Sequence, residues 1–288
     1  MGAIAAMARR AEVSALQKRL LSAAVLLPLA AAAVWLGPPY WDVLVGVIAV
    51  VMAWEWAGMC AFGQPQSRYA LFGVEPAGVI SMLAMTVAMA VAAGQAYRLS
   101  LLLLVLGGAL ACVIGMRRSG GRGGWHGFGT LYVGLPSIAI IWLRAQAPGG
   151  LASMVWVLAL AIAVDTGAYA AGRSIGGPKL APRISPNKTW AGLLGGVAAG
   201  MVVGAVAALW LGAASVWPLV LASALLGIVE QAGDLVESGF KRYFGVKDSG
   251  HLIPGHGGFL DRVDGLLAVA LAVALAQSLG GGILAWTR

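Results

Sequence analysis

Residues 190–211, WAGLLGGVAAGMVVGAVAALWL, run for twenty-two positions without an ionisable side chain. At ~1.5 Å per helical residue the run reaches about 33 Å, enough to cross a hydrocarbon core of ~30 Å. Eight more apolar runs lie on either side of it, at about 20–36, 43–62, 77–94, 99–115, 130–146, 151–171, 216–232 and 265–285. The whole chain is 60% hydrophobic and 10% charged with a mean hydropathy of +0.87, far from the ~25% charged residues of soluble domains. Backbone polar groups in lipid must be satisfied within their own segment, so each run reads as a helix. The pattern predicts an all-α polytopic membrane protein of nine transmembrane helices, one integral membrane domain over residues 1–288. The first run could pass for a signal peptide, but it shows no small-residue cleavage site and reads as a retained span.

The basic residues orient the bundle. Sixteen of the nineteen Lys and Arg residues fall on the amino-terminal segment and on every second loop after it; Arg98, Arg144 and Arg288 are left for the opposite side. By the positive-inside rule the amino terminus is cytoplasmic. The net charge of +8 then follows from topology, and nucleic acid is not needed to explain it. Cys60 and Cys112 sit inside predicted spans without metal-ligand spacing and read as packing residues. The glycines of 192–204 read as a small-residue face for close helix contact.

Polar chemistry is concentrated in two cytoplasmic segments, 172–189 and 233–264. Residues 230–264, EQAGDLVESGFKRYFGVKDSGHLIPGHGGFLDRVD, hold six of the chain's eleven carboxylates. Asp234, Glu237, Ser238 and Lys241 share one face of a helix continuing the eighth span. Asp261 and Asp264 repeat the i, i+3 spacing at the start of the ninth. Two acidic faces therefore flank one loop, and Asp234 with Asp261 could ligate Mg²⁺, with room for a second cation, beside substrate phosphates. Gly257 and Gly258 can bring backbone N–H groups close to a phosphate. Lys241, Arg242, Lys247 and Arg262 supply positive charge, Asp248 a further carboxylate and His256 a ring in the same loop. Each also has a plain reading: Glu237 with Lys241 as a solvated helix pair, the glycines as a turn, the cations as topology markers and His256 as a loop hydrogen bond.

The second segment, GRSIGGPKLAPRISPNKTWAG at 172–192, ends in Lys188-Thr189 but is no P-loop, because Pro182 and Asn187 stand where that motif needs Gly. Its Arg173, Lys179, Arg183, Ser185, Lys188 and Thr189 suit polyphosphate or nucleobase contacts. Asp165, inside the sixth span, forms a helical stripe with Tyr169, Gly172 and Arg173 that leads to this loop and reads as facing a polar cavity. Glu55, in the second span, reads equally as a helix-end residue or a cavity residue.

Residues 238–264, combining S-x-x-K-R, K-D-x-G and P-G-H-G-G-x-x-D-R-x-D, resemble the signature of the phosphatidate cytidylyltransferases, also called CDP-diglyceride synthases. DTGAYAAGRSIGGPKLAPRISPNKTWAG at 165–192 is similar to a second segment of that family, and LYVGLP at 131–136 fits weakly. The resemblance covers about 130–270, with the catalytic part at about 160–270, and is poor in the amino-terminal half. It implies conversion of CTP and phosphatidate to CDP-diacylglycerol and diphosphate in phospholipid biosynthesis, Mg²⁺ dependence, and a site on the cytoplasmic side of the inner membrane. It also implies Asp234 and Asp261 as metal ligands, and it leaves room for a homodimer. Gly265 departs from the family, where many members have Ser. A CTP-dependent kinase of a polyprenol or dolichol, and more distantly an ion-coupled transporter using Asp165, are the rival readings.

Overall fold

Each apolar run is helical wherever the computed structural model describes it, over residues 24–61, 74–119, 122–253 and 257–280. The helices are α1 (Ala24–Leu36), α2 (Tyr40–Ala61), α3 (Pro76–Ala93), α4 (Tyr97–Ser119), α5 (Trp125–Ala145), α6 (Gly150–Ser174), α7 (Trp190–Trp210), α8 (Trp217–Phe244) and α9 (Leu260–Gly280). Eight of these, α2 to α9, are long and apolar enough to cross a membrane. The first predicted span begins at residue 20, so its start lies outside the described residues.

Helix α7 shows why such a sequence makes a bundle. Gly192, Gly196, Gly200 and Gly204 recur every fourth residue and are buried. Leu194, Val202, Val206 and Leu209 on the other side are 60–73% exposed. The helix thus turns its smallest residues inward and its large apolar ones outward, as a lipid-facing helix should. A Cβ added at Gly196 would lie 3.0 Å from the Val164 carbonyl oxygen of α6, and one at Gly204 2.5 Å from the Leu219 carbonyl oxygen of α8. Backbones of three consecutive helices therefore meet without intervening side chains. The amino-terminal half is cemented differently, by large side chains. Trp56 of α2 lies 5.3–5.9 Å, centroid to centroid, from Phe128 and Tyr132 of α5 and from Phe240 and Phe244 of α8.

Two features go beyond the spans expected from hydropathy. Helix α8 runs on past residue 232 to Phe244 as one 28-residue helix, about 42 Å long at ~1.5 Å per residue. Its last turns therefore carry the polar face beyond the hydrocarbon. It stops at Gly245, whose φ of 79° allows the Val246 N–H to return to the Lys241 carbonyl and the Gly245 N–H to the Arg242 carbonyl. The second feature is a hairpin. β1 (Lys179–Ala181) and β2 (Ser185–Thr189) pair antiparallel within the loop between α6 and α7, Lys179 opposite Thr189 and Ala181 opposite Ser185.

Replacing Gly204 by Val would drive two methyl groups into the Leu219 carbonyl and the Ser223 hydroxyl, which lie 2.5 Å and 2.6 Å from an added Cβ. We expect a loss of about 1–3 kcal/mol, seen as a lower thermal midpoint in detergent. Val206→Leu, on the exposed face, should stay within about 0.5 kcal/mol of the parent.

Candidate active site

The end of α8 and the beginning of α9 are tied together by one carboxylate. Asp261, in the first turn of α9, accepts from Lys241 Nζ at 2.7 Å, from the Ser249 N–H at 2.9 Å, from Ser249 Oγ at 3.0 Å and from the Gly258 N–H at 3.0 Å. Its side chain is 5% exposed and that of Lys241 11%. Lys241 also lies 3.4 Å from Glu237, one turn back on α8 and fully buried. The predicted face of Asp234, Glu237, Ser238 and Lys241 thus exists, and its far end is neutralised internally.

Both oxygens of Glu237 are buried without an N–H or O–H donor. Apart from Lys241, their charged neighbour is the carboxyl of Asp264, close enough to act electrostatically on Glu237. Asp264 also accepts from the Gly265 N–H at 2.8 Å. A second carboxyl pair lies deeper, where Glu230 of α8 contacts Asp165 of α6. Two carboxyl groups in contact need a proton or a cation between their oxygens. Between the two pairs stands Asp234, bound to Lys188 Nζ at 2.7 Å and to Ser238 Oγ at 3.2 Å. Lys188 is steered by Gln231, whose side-chain oxygen accepts from it at 3.1 Å.

A cavity of about 540 Å³ opens beside Asp165 and Asp234, between α6, β2, α7 and α8. Asp165, Arg173, Lys188, Thr189, Gln231 and Asp234 are among its lining residues. Arg173 donates to the Tyr169 hydroxyl at 2.6 Å, so the stripe read from the sixth span is a wall of this cavity. Arg262 is exposed and acts electrostatically on Asp165.

Other expected residues lie elsewhere or are already engaged. Thr189 is 4% exposed, and its hydroxyl caps α7 by accepting from the Gly192 N–H at 3.0 Å. The Gly258 N–H donates to Asp261, so that amide is committed within the protein. Gly257, at φ 88°, closes a turn in which the Ile253 N–H donates to its carbonyl at 2.9 Å. Lys179, Lys247 and Asp248 are exposed, and Ser185 is half-buried on β2. Arg242 donates to the carbonyls of Ile184 at 3.3 Å and Val246 at 3.4 Å, holding the hairpin against α8. His256 lies outside the described residues. A side chain at Gly265 would meet Glu230, whose Cδ lies 2.8 Å from an added Cβ, so any larger residue there would require Glu230 to shift.

Glu55 of α2 belongs to the site although sequence reading left its role open. It is 2% exposed and accepts from the Phe259 and Leu260 N–H groups, each at 2.9 Å, and from Ser249 Oγ at 3.3 Å. A lone Glu in an apolar run was the only signal available.

Among the described residues no three or more His, Cys, Asp or Glu side chains are grouped so as to hold an ion by themselves. The donor set nevertheless suits Mg²⁺, which takes one or two carboxylates and fills its shell with water and substrate phosphate oxygens. Glu237 offers orphaned oxygens, and Asp234, 26% exposed, faces the cavity.

The sequence model of a family described as the cytidylyltransferase family matches residues 17–279. A protein of Brucella suis named phosphatidate cytidylyltransferase is 39% identical over 267 residues, covering 91% of this chain and 93% of the relative. One of the same name from Haemophilus influenzae is 34% identical, covering 88% and 95%. A third, from Staphylococcus haemolyticus, is 45% identical over 139 residues, 48% of this chain and 52% of the relative. The chain belongs to the cytidylyltransferase family.

Lys241→Met would leave the buried carboxylates of Glu237 and Asp261 facing each other without their shared cation. Breaking a buried pair from one side costs about 3–5 kcal/mol. We expect most of that loss in Lys241→Met and clearly less in Lys241→Arg, compared as the fraction still folded after heating in detergent.

Proposed function

We propose that this family member joins CTP to phosphatidate, making CDP-diacylglycerol and diphosphate at the cytoplasmic face of the membrane. The observation that carries the reading is the cavity beside Asp234, because it puts cations and carboxylates on the walls of a membrane-embedded bundle. A phospholipid and a nucleotide can meet there. The orientation rests on the positive-inside count, which assigns the α8–α9 turn and the β1–β2 hairpin to the cytoplasm. Phospholipid biosynthesis is the setting such a product implies.

The reaction needs positioning more than base catalysis. A phosphate oxygen of phosphatidate is already an anionic nucleophile; it forms a bond to the α-phosphorus of CTP while the α–β bridging bond breaks and diphosphate departs. No proton has to be removed, so the protein's task is to hold two polyanions in line and screen their repulsion. Arg173 and Lys188 line the cavity and the charge of Arg262 acts on Asp165, so these three would meet the incoming phosphates. Lys179, Ser185, Arg242 and Lys247 stand further out and guide nucleotide to the mouth. Mg²⁺, when bound, would polarise the phosphoryl oxygens and stabilise the departing diphosphate. Asp234 and Asp261 would hold it, with Glu237 and Asp264 adjacent. Asp234, paired with Lys188, is 26% exposed. The oxygens of Asp261 already accept from Lys241, Ser249 and Gly258, so Asp234 would carry the larger share of the ligation.

Purified protein given labelled CTP, phosphatidate and Mg²⁺ should release CDP-diacylglycerol and diphosphate, and chelation of Mg²⁺ should stop the reaction. Lipid phosphate and CDP as products from a polyprenol would instead make the protein a kinase. Asp234→Asn should retain the folded bundle and lose about 10²–10³-fold in kcat, as removal of one transition-state electrostatic contact does.

A further inference from the structure

Helix α9 begins at Leu260. Phe259, which precedes it, has no side-chain acceptor for the orphan N–H groups of a first turn. The acceptor comes from α2 instead. Glu55, about two hundred residues earlier in the chain, places one oxygen on the Phe259 N–H and the other on the Leu260 N–H, both at 2.9 Å. The same carboxylate meets Ser249 Oγ at 3.3 Å, and that hydroxyl is 3.0 Å from Asp261 Oδ2. A serine hydroxyl has one proton, so Ser249 stands as a single donor between Glu55 and Asp261. Two glycines make room: a Cβ at Gly250 would lie 2.9 Å from Glu55 Oε1, and one at Gly258 2.6 Å from it. The glycines of the signature loop are therefore shaped around a side chain that lies outside the signature. Glu55 cannot drift, because Trp56 beside it is wedged among the rings of α5 and α8 and donates to the Trp125 carbonyl at 2.8 Å.

We infer that Glu55 is a positioning residue for the transfer reaction, clamping the first turn of α9 so that Asp261 and Asp264 face the carboxylate row of α8. Its carboxylate is buried, and its effect passes through Ser249, the two amides and Asp261. The amino-terminal helices thereby acquire a task in the chemistry: α2 brings the clamp, and the aromatic cluster fixes it against α8. This inference rests on the proposed cytidylyl transfer for its kinetic consequence, whereas the clamp itself can be read without any turnover.

The test uses the full chain in detergent or lipid discs. In Glu55→Gln the amide nitrogen must face either the Leu260 N–H or the Phe259 N–H, donor against donor. Hydrogen-exchange mass spectrometry should then show residues 257–262 exchanging about tenfold faster with α3 and α5 unchanged. The kcat should fall about 10–100-fold, as for partners that orient metal-binding carboxylates, while KM for CTP stays within about threefold. Glu55→Asp should fall between Gln and the parent. If Glu55→Gln does not fold, Ser249→Ala, which removes only the linking hydroxyl, should still speed exchange at 257–262 measurably. Unchanged exchange there in either variant overturns the clamp. Loss of protection spread over α2, α3 and α5 reduces Glu55 to a general stabiliser, and parental kcat with local fraying removes its link to turnover. If the parent itself forms no CDP-diacylglycerol, the proposed function fails while the exchange result still decides the clamp.

Discussion

The ammonium of Lys241 lies 2.7 Å from Asp261 and 3.4 Å from Glu237, and the site depends on that one cation. Helices α8 and α9 each bring carboxylates to the same end of the bundle. Close approach of two acidic helix ends in a partly desolvated place is unfavourable unless a positive charge stands between them. Lys241 supplies that charge from α8, and Asp261 receives it on α9. The first turn of α9 reinforces the contact, because its N–H groups and macrodipole favour a carboxylate there. Once the two helices are joined, Ser249 and Gly258 of the connecting loop donate to Asp261.

The bundle solves two packing problems by opposite means. Around α6, α7 and α8 the glycines bring backbones together, and the polar side chains Asp165, Lys188 and Asp234 stand among the walls of a cavity. Around α2, α5 and α8 the rings of Trp56, Phe128, Tyr132, Phe240 and Phe244 pack against one another. Helix α8 belongs to both regions. A substrate-sized opening on one side is thus backed by a rigid aromatic wall on the other, a combination that limits how far the carboxylate row can move when charged ligands arrive.

Much of this was legible from residue patterns, and the reasons are physical. Lipid imposes one secondary structure on any sufficiently long apolar run, so the spans follow from hydropathy. The i, i+3 spacing of Asp234 with Glu237, and of Asp261 with Asp264, fixes a shared helix face wherever a helix forms. What periodicity does not encode is a partner far away in sequence. The hairpin at 179–189, rich in Pro, Asn and Lys, has no alternating apolar pattern, since it lies over a polar cavity and buries no sheet face. Thr189 and Gly258 looked like phosphate donors, and the structure uses the first as a helix cap and the second as a support for Asp261. Glu55 could be assigned a role only after α2 and α9 were placed side by side.

Charge balance explains why a site for two polyanions is itself so acidic. The row contains Asp165, Glu230, Asp234, Glu237, Asp261 and Asp264, against Lys188, Lys241 and Arg262 as the cations acting on it. Lys188 and Lys241 are already matched to Asp234 and Asp261. The two remaining carboxyl pairs, Asp165 with Glu230 and Glu237 with Asp264, have each other as neighbours, and such contacts persist only with a proton or a cation between the oxygens. A row of this kind repels free phosphate and welcomes phosphate that arrives with a metal ion, because the ion satisfies carboxylate and phosphate oxygens at once. On the proposed function, acidity that would be a defect in a plain anion-binding pocket would favour a nucleotide that arrives with its metal ion. The close approach of Glu230 to Gly265 fits the same logic: the bare glycine lets the carboxyl of Glu230 lie against α9, where a larger residue would push it out of the row.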